Sequence, residues 1–397
     1  MASDSAFGNP SAMSEQPRPP LWQASVLGII PAIWIGWATV LATHGRHWAV
    51  ADFLTFRRAA SALLHGRTPY PHHAVPSVLA VGHSFVYPPI AAYPFIPFTA
   101  LPAHVAIVVY LLASLAAVGA ALWILGVRDW RVFGVVLLWE PLLMWLLHGP
   151  IEPWMLVLLA LGWRWRASVV KLAVVVALLV SFKLFLWPLL VWLLATRRIR
   201  TFLASAVLTG VFVLVPFAEV GIGALRSYPH LLRTLTNVYG ASSFSLLAVF
   251  ESFVSRHHAQ LALVLASIAV VGAVGLLARG VEGDRKAFSV AIVGAVMLSP
   301  IVWAHYYLLL AVPIALVRPR LSALWFAPLL FWATGSAALG EPHRLAIGVF
   351  VPLVVLVGAC RSVRGERIRL RQSGDAVGVD LVKRLVLEQR LGQRVKA

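Results

Sequence analysis

Residues 103–126 read AHVAIVVYLLASLAAVGAALWILG and contain no Asp, Glu, Lys or Arg. An apolar run of this length is sufficient for a helix that crosses the roughly 30 Å hydrocarbon core of a bilayer. Further apolar runs, mostly separated by short polar stretches, predict an all-α transmembrane bundle of about twelve spans. In sequence numbers these spans are 22–43, 103–126, 131–147, 151–163, 167–182, 184–195, 201–218, 258–278, 287–304, 305–317, 321–338 and 345–360.

The composition of the whole chain agrees with a polytopic membrane protein. Of its 397 residues, 60% are hydrophobic and 12% are charged, whereas average soluble domains are about 45–50% apolar and about 25% charged. This composition excludes a soluble globular protein, a disordered chain and a collagen-like chain. The single cysteine, Cys360, leaves no cysteine pair for an intramolecular disulfide or a cysteine-based metal site.

The formal net charge of +18 is concentrated in short Lys and Arg clusters between apolar runs and in the C-terminal part of the chain. This distribution argues against a nucleic-acid partner. With twelve spans, 24 of the 33 basic residues fall on one side, which the positive-inside rule identifies as the cytoplasm. The predicted division is a cytoplasmic N-terminal tail (1–21), a transmembrane domain (22–360) and a basic cytoplasmic tail (361–397). Because the cytoplasmic loops are short, any chemistry is expected on the outer face.

Two long outside loops, 44–102 and 219–257, follow from this arrangement. In the first loop, residues 52–65 predict an amphipathic helix that ends at Gly66. Residues 85–102 are moderately apolar but contain five prolines, which break a spanning helix. We therefore expect interfacial or re-entrant segments in the first loop rather than another crossing.

Asp52 is the only carboxylate between residues 44 and 102. A partly desolvated carboxylate at the membrane edge can act as a general base toward a hydroxyl group. The alternative is structural, since Asp is a common N-cap residue.

Two cationic or protonatable residues are the other main candidates. Lys183 lies within a long apolar stretch, where a charge is costly and often functional, although a snorkelling lysine at a helix end fits equally well. His305 lies at the predicted outer membrane edge and could bind a phosphate or move a proton. Its alternative is a place in an interfacial aromatic belt with Trp303, Tyr306 and Tyr307.

The remaining polar residues give weaker signals. Glu140 lies within a predicted span and needs a partner that the sequence does not identify, and residues 148–152 form an outer turn. The adjacent pairs His72/His73 and His257/His258 lack the spacing of helical zinc ligands, so no metal site is predicted. Residues 380–395 predict either a basic amphipathic helix on anionic lipid or a solvated tail.

Several of these residues occur in an order that resembles family-87 glycosyltransferases, integral-membrane enzymes of the GT-C type. Their first-loop signature is matched by Ala51-Asp52-Phe53, Ala59-Ala60 and residues 64–70, LHGRTPY. Residues 85–90, FVYPPI, are similar to their Tyr-Pro-Pro segment, and residues 299–305, SPIVWAH, to their late Ser-Pro…Trp-x-His motif. Lys183 matches the family lysine before an Arg-rich turn. The resemblance covers about residues 45–320.

The resemblance implies a GT-C fold in a bacterial plasma membrane and a particular reaction. A sugar, usually mannose, passes with inversion from a polyprenyl-phosphate donor to a hydroxyl of a lipid-anchored glycan. Asp52 is the expected general base, and His305 is expected near the donor phosphate or in proton transfer. The residues expected to bind the donor phosphate or the substrates are Lys183, Arg57, Arg58, Arg67, Tyr87, Trp303 and Glu152. No cofactor and no protein partner are expected, and the use of a divalent cation is left open.

Departures from the family pattern leave the acceptor and the sugar open. Residues 149–152 read GPIE where the family often has Gly-Gln-x-Asn, and Phe56 replaces a common tyrosine. A different class of function, a twelve-span transporter or flippase of a lipid-linked sugar, shares the predicted topology. Transporters tend to contain internal repeats and polar residues at the bilayer midplane. This chain has no evident repeat, and its polar groups apart from Glu140 gather at the outer edge, which favours the enzyme.

Overall fold

The computed structural model describes residues 21–43, 50–71, 75–80, 84–280, 282–335 and 341–361. Within these ranges every regular element is a helix, as the sequence predicts. The α-helices, in chain order, are α1 (Leu21–Ala24), α2 (Ile30–Thr43), α3 (Ala51–Leu64), α4 (Pro76–Ala80), α5 (Ile96–Thr99), α6 (Ala103–Ile124), α7 (Trp130–Leu137), α8 (Glu140–His148), α9 (Glu152–Arg164), α10 (Val169–Phe182), α11 (Pro188–Ala195), α12 (Ile199–Val220), α13 (Ile222–Tyr239), α14 (Leu246–Glu251), α15 (Arg256–Leu277), α16 (Gly283–Leu298), α17 (Ala311–Val317) and α18 (Pro342–Cys360).

Short tight helices connect or extend several of these elements. A π-helical segment (Ser25–Ile29) joins α1 to α2, and the 3₁₀ helices are Pro89–Phe95, Leu184–Leu186, Gly240–Ser242, Ala304–Leu310 and Ala323–Thr334.

The longest apolar runs form helices that can cross a membrane. By length and composition α6, α12, α15 and α18 qualify, and the broken pair α7 and α8, bent by 61°, makes a fifth if it is counted as one span. Shorter apolar helical segments lie at four further predicted positions, Val169–Phe182, Leu184–Ala195, Ala304–Val317 and Ala323–Thr334. The described part of the chain is thus all-helical and has four or five candidate membrane spans, as a multi-pass membrane protein does, and the count of twelve stays a prediction.

The surface of α15 has the character of a lipid-facing helix. Only 6% of its most apolar 18-residue stretch is buried inside the protein. Val264, Leu265 and Ile268 are each more than half exposed. Exposed apolar area costs about 25 cal/mol per Å² in water but nothing comparable in hydrocarbon. The exposure of α15 therefore agrees with a bilayer environment.

The first loop contains short helices, as predicted. Helix α3 spans the predicted amphipathic segment, and its apolar residues Phe53 and Phe56 are fully buried. Gly66 follows with a φ of 63°, a conformation that favours glycine. The proline-rich segment forms the 3₁₀ helix Pro89–Phe95 and α5, and Phe95 stacks on Phe56 with the ring centroids 4.6 Å apart.

Polar contacts join basic clusters that are distant in sequence. Asp129 caps α7, pairs with Arg131 at 2.9 Å and accepts a 3.0 Å hydrogen bond from the backbone N–H of Leu321. Asp284 pairs with Arg198 at 2.7 Å and with Arg166 at 3.5 Å. These contacts bring together clusters that the predicted topology places on one side of the membrane.

Two segments differ from the sequence prediction. The span predicted at 287–304 is interrupted, because α16 ends at Leu298 and Ser299 is extended before Pro300. The following residues up to Trp303 are not helical and form part of a cavity wall. The predicted second outside loop contains α13, an amphipathic helix of 18 residues.

Some predicted features lie outside the described residues. These are the tail 1–20, the His72/His73 pair, and the C-terminal tail from residue 362 with its predicted helix.

Candidate active site

Asp52 lies in the first turn of α3, where the neighbouring chain fixes the start of the helix. Val50 occupies the N-cap position with a φ of 51° and without a side-chain cap, so Asp52 is not the N-cap residue. The backbone N–H of Val50 donates a 2.7 Å hydrogen bond to the carbonyl oxygen of Leu147. The turn after α8 is therefore held against the first turn of α3, which puts His148 and Asp52 on the wall of the same cavity.

Lys183 follows the last residue of α10 in an extended conformation. Its side chain is 2% exposed and donates a hydrogen bond to Oε1 of Glu152, whose side chain is fully buried. The Lys183 Nζ also lies 3.9 Å from the centroid of the Tyr306 ring. Lys183 is therefore a buried, paired cation, and the alternative of a snorkelling lysine is wrong.

His305 completes a buried polar group around Glu152. It is 6% exposed and lies in the 3₁₀ helix Ala304–Leu310. Its Nε2 lies 3.7 Å from Glu152 Oε1 and has no hydrogen-bond partner among the described residues. Tyr306 and Tyr307, which the sequence suggested as members of an aromatic belt, are buried.

These residues surround one cavity of about 590 Å³, within the roughly 300–1,000 Å³ typical of small-molecule sites. Asp52, Tyr87, Lys183, Trp303 and His305 all line it. Glu152 lies directly behind, since it contacts two of these side chains. The structure therefore brings six of the nine predicted site residues into one place.

Tyr87 gives the cavity a neutral hydroxyl close to carboxylates. Burial raises the pKa of Tyr87 well above its ordinary value, and electrostatic interactions with Tyr306, Asp52 and Glu152 raise it further. The phenol therefore stays protonated and can donate a hydrogen bond. Its backbone is fixed as well, because its carbonyl oxygen accepts a 2.8 Å hydrogen bond from the Tyr70 hydroxyl.

The three predicted arginines of the first loop lie away from this cavity as the structure describes it. Arg57 donates hydrogen bonds to the carbonyl oxygens of Phe98 at 3.0 Å and Leu101 at 2.8 Å, which ties α3 to the proline-rich segment. Arg58 and Arg67 are exposed. Their predicted part in phosphate binding stays a prediction.

The cavity also contains a second group of ionisable residues. Glu140 at the start of α8 and Arg344 near the start of α18 both line it and interact electrostatically. Glu140 is 6% exposed, and its Oε2 has no hydrogen-bond partner among the described residues. The guanidinium carbon of Arg344 lies 4.7 Å from the ring centroid of Phe244. In the described ranges, no group of three or more His, Cys, Asp or Glu residues could hold a metal ion.

The arrangement suits a reaction in which a proton is removed at one point and negative charge is neutralised at another. A carboxylate, a lysine and a histidine line one cavity, and such groups can act in general-base catalysis and in anion stabilisation. The family model described as Glycosyltransferase family 87 matches residues 85–313, which is more than half of the chain. The chain belongs to glycosyltransferase family 87. No curated protein and no solved structure matches the chain.

As a family-87 member, the protein is a membrane-associated glycosyltransferase that uses a sugar donor and an acceptor. The matched residues include Tyr87, Glu152, Lys183 and His305, whereas Asp52 lies outside them.

Glu140 and Arg344, an acidic and a basic residue on the wall of this family-87 cavity, are not among the predicted site residues. Glu140 was recognisable as a buried charge, but its partner Arg344 lies about 200 residues away in the sequence. Arg344 had one usable signal. It precedes the last apolar run on the predicted outer side, where basic residues are scarce.

Proposed function

We propose that this protein transfers a sugar, most simply mannose, from a polyprenyl-phosphate donor to a hydroxyl of a lipid-anchored glycan. The observation that carries the proposal is the single cavity lined by Asp52, Lys183 and His305. Family membership supports the glycosyl transfer. The membrane setting supports lipid-linked substrates, because a polyprenyl chain remains in the bilayer while its head group enters the cavity.

In the proposed reaction the acceptor oxygen attacks C1 of the donor sugar. Asp52 takes the proton of the acceptor hydroxyl as the new O–C1 bond forms. The bond between C1 and the phosphate oxygen breaks on the opposite side, and its electron pair stays with the polyprenyl phosphate. One displacement inverts the anomeric carbon. A general base of this kind contributes about 10²–10⁴-fold to the rate.

Charge develops on the departing phosphate, and we assign its stabilisation to Lys183 and His305. His305 lines the cavity, and its Nε2 has no hydrogen-bond partner in the described structure. Lys183 contributes its positive charge while Glu152 fixes its position. Positioned donors of this type stabilise a transition state more than they would in water, because they need no reorganisation. Tyr87 and Trp303 are assigned to binding the substrate head groups.

We further propose that the cavity faces the outside of a bacterial plasma membrane and that the chain crosses it about twelve times. The charge distribution supports this orientation, because 24 of 33 basic residues fall on the opposite side. Four of the remaining spans correspond to the shorter apolar helical segments found beyond the four or five long helices.

The test is an assay of the purified full-length protein in detergent with polyprenyl-phosphate mannose and a membrane lipid extract. Mass spectrometry of the lipids should show a product heavier by one hexose, and the His305→Ala variant should form much less of it. A flippase would move the donor across vesicles without this mass change. Absence of any sugar addition, whether a hexose from polyprenyl-phosphate mannose or glucose or a pentose from polyprenyl-phosphate arabinose, would overturn the proposal.

A further inference from the structure

The cavity contains an acidic and a basic residue that the proposed displacement does not use. Glu140 comes from α8 and Arg344 from α18, and both line the cavity. Their side chains interact electrostatically. Arg344 lies beyond the residues that match the family model. The pair is therefore a feature of this chain's cavity to which the family match assigns no role.

The position of Glu140 results from the broken span. Between α7 and α8 the chain bends by 61°, and Trp139 is extended ahead of Pro141. A straight helix would place Glu140 inside a spanning segment, where a carboxylate is costly. The break instead puts it at the first position of α8, on the cavity wall.

The carboxylate of Glu140 has unused hydrogen-bonding capacity. Glu140 is only 6% exposed, and its Oε2 has no hydrogen-bond partner among the described residues. A buried acceptor without a donor is costly, and such groups commonly reflect a function. An ordered ligand with hydroxyl donors would satisfy it.

The surroundings narrow the chemistry of that ligand. A carboxylate accepts hydrogen bonds from hydroxyls, while a guanidinium donates to ring and hydroxyl oxygens. Aromatic faces stand beside them, because Phe244 packs under Arg344 and the cavity also includes Tyr239 and Trp303. A carboxylate, an arginine and aromatic rings together fit a sugar ring, which presents hydroxyls at its edge and C–H groups on its face.

We propose that Glu140 and Arg344 bind the hydroxyl groups of a sugar ring in this cavity and thereby select the sugar. This inference rests on the proposed function. The ring belongs either to the donor or to the terminal residue of the acceptor glycan, and both present the same chemistry to the pair. A site built to hydrogen-bond a hydroxyl strongly rejects an analogue that lacks it.

The experiment measures binding, so that it does not depend on turnover. Full-length protein in detergent is titrated with polyprenyl-phosphate mannose and its monodeoxy analogues, and separately with octyl mannoside and its monodeoxy analogues. Wild-type protein should bind one deoxy analogue about tenfold or more weakly than the parent compound, as expected for a lost hydrogen bond to a charged group. Glu140→Gln should bind the parent compound more weakly than the wild type does. Its affinities for the parent and for that analogue should differ by less than about twofold.

If Glu140→Gln loses this discrimination in the donor series, the ring belongs to the donor. If the loss appears in the mannoside series, the ring belongs to the acceptor. Arg344→Lys is the second variant and should show the same loss of discrimination at the same or a neighbouring hydroxyl. Glu251→Gln is the matched control, because Glu251 also has a buried oxygen without a hydrogen-bond partner but does not line the cavity. It should behave as the wild type does.

Melting temperatures in detergent show whether the variants are folded. If Glu140→Gln does not fold, the test is made with Arg344→Lys. Folded variants that discriminate among the analogues as the wild type does, in both series, would overturn the inference. This failure is distinct from that of the proposed function, which would appear as absent hexose transfer by the wild type.

Discussion

Lys183 and Glu152 form an ion pair from which water is excluded. Their side chains are 2% and 0% exposed, although 31 residues separate them in the sequence. Removing one partner of such a pair leaves the other as an uncompensated buried charge, and this typically costs about 3–5 kcal/mol. The pair therefore has two roles in the proposed mechanism, since it holds the lysine in place and also stabilises the helices that carry it.

Lys183→Met should lower the melting temperature of the purified protein strongly, because Glu152 then lies buried without its cation. The double variant Lys183→Met/Glu152→Gln should recover much of that loss, since neither remaining group is charged. Both should be inactive if Lys183 stabilises the donor phosphate. A single Lys183→Met variant as stable as the wild type would contradict the buried pair. An active double variant would contradict the role in catalysis.

The geometry around Gly149 predicts a sensitive position. Gly149 has a φ of 70°, and an added Cβ would lie 2.9 Å from the Cβ of Phe53. Gly149→Ala should therefore displace the start of α3 and Asp52 with it, lowering both the melting temperature and kcat. Gly66→Ala is the control. It shares the positive φ but meets nothing within 4 Å, so it should cost only about 1–2 kcal/mol and leave kcat unchanged. Equal kcat in the two variants would show that this turn does not position the base.

A comparison of these residues shows what the sequence could predict. Asp52, Lys183 and His305 were identifiable because each is an isolated polar group in an apolar context, and their order matches a known family. The helical segments were predictable because apolar run length determines where a span can form. The ion pair of Glu152 with Lys183, and the presence of Glu140 and Arg344 on the wall of one cavity, depend on helix packing across the bundle. No local pattern records such packing, and the break before Glu140 concealed its place at a helix start.

Asp129, the N-cap residue of α7, predicts a pH dependence of stability. Partial burial raises the pKa of Asp129, but hydrogen bonds from Arg131 and from the backbone of Leu321 outweigh it and leave the pKa below its ordinary value. The stabilisation by the ionised carboxylate is therefore fully present above the unfolded-state pKa of about 3.9 and is lost as pH falls through the folded-state value. The melting-temperature difference between wild type and Asp129→Asn should be constant near neutral pH and shrink below about pH 4. A difference that persists unchanged at pH 3 would contradict this.

The orientation can be tested by cysteine labelling in a variant in which Cys360 is replaced by alanine. Ser77, on α4 in the first loop, and Gly280, after α15, are both exposed. Ser77→Cys should react with a membrane-impermeant thiol reagent in intact cells, while Gly280→Cys should react only after the cells are opened. Labelling of the opened cells controls for the reactivity of both positions. The reverse pattern would place the cavity on the cytoplasmic side.

Asp52 gives the sharpest test of the mechanism, because the structure separates its possible roles. A capping role would predict a stability loss of about 1 kcal/mol on replacement by alanine, but Val50 occupies the N-cap position. A charge in the first helical turn contributes only about 0.3–1 kcal/mol through the helix dipole. Asp52→Asn keeps the size of the side chain but cannot accept a proton from the acceptor hydroxyl. We therefore expect a melting temperature close to that of the wild type together with a transfer rate lower by about 10²–10⁴-fold.

The control for Asp52→Asn is Asp52→Glu, which retains a carboxylate but displaces it by one methylene group. It should recover part of the rate that asparagine loses, because the base is present though misplaced. Both rates are measured at saturating donor, with the product quantified by mass spectrometry. A folded Asp52→Asn variant that transfers sugar at nearly the wild-type rate would remove the proposed base. The proton would then have to leave through another group of the cavity, of which His305 is the nearest in chemistry.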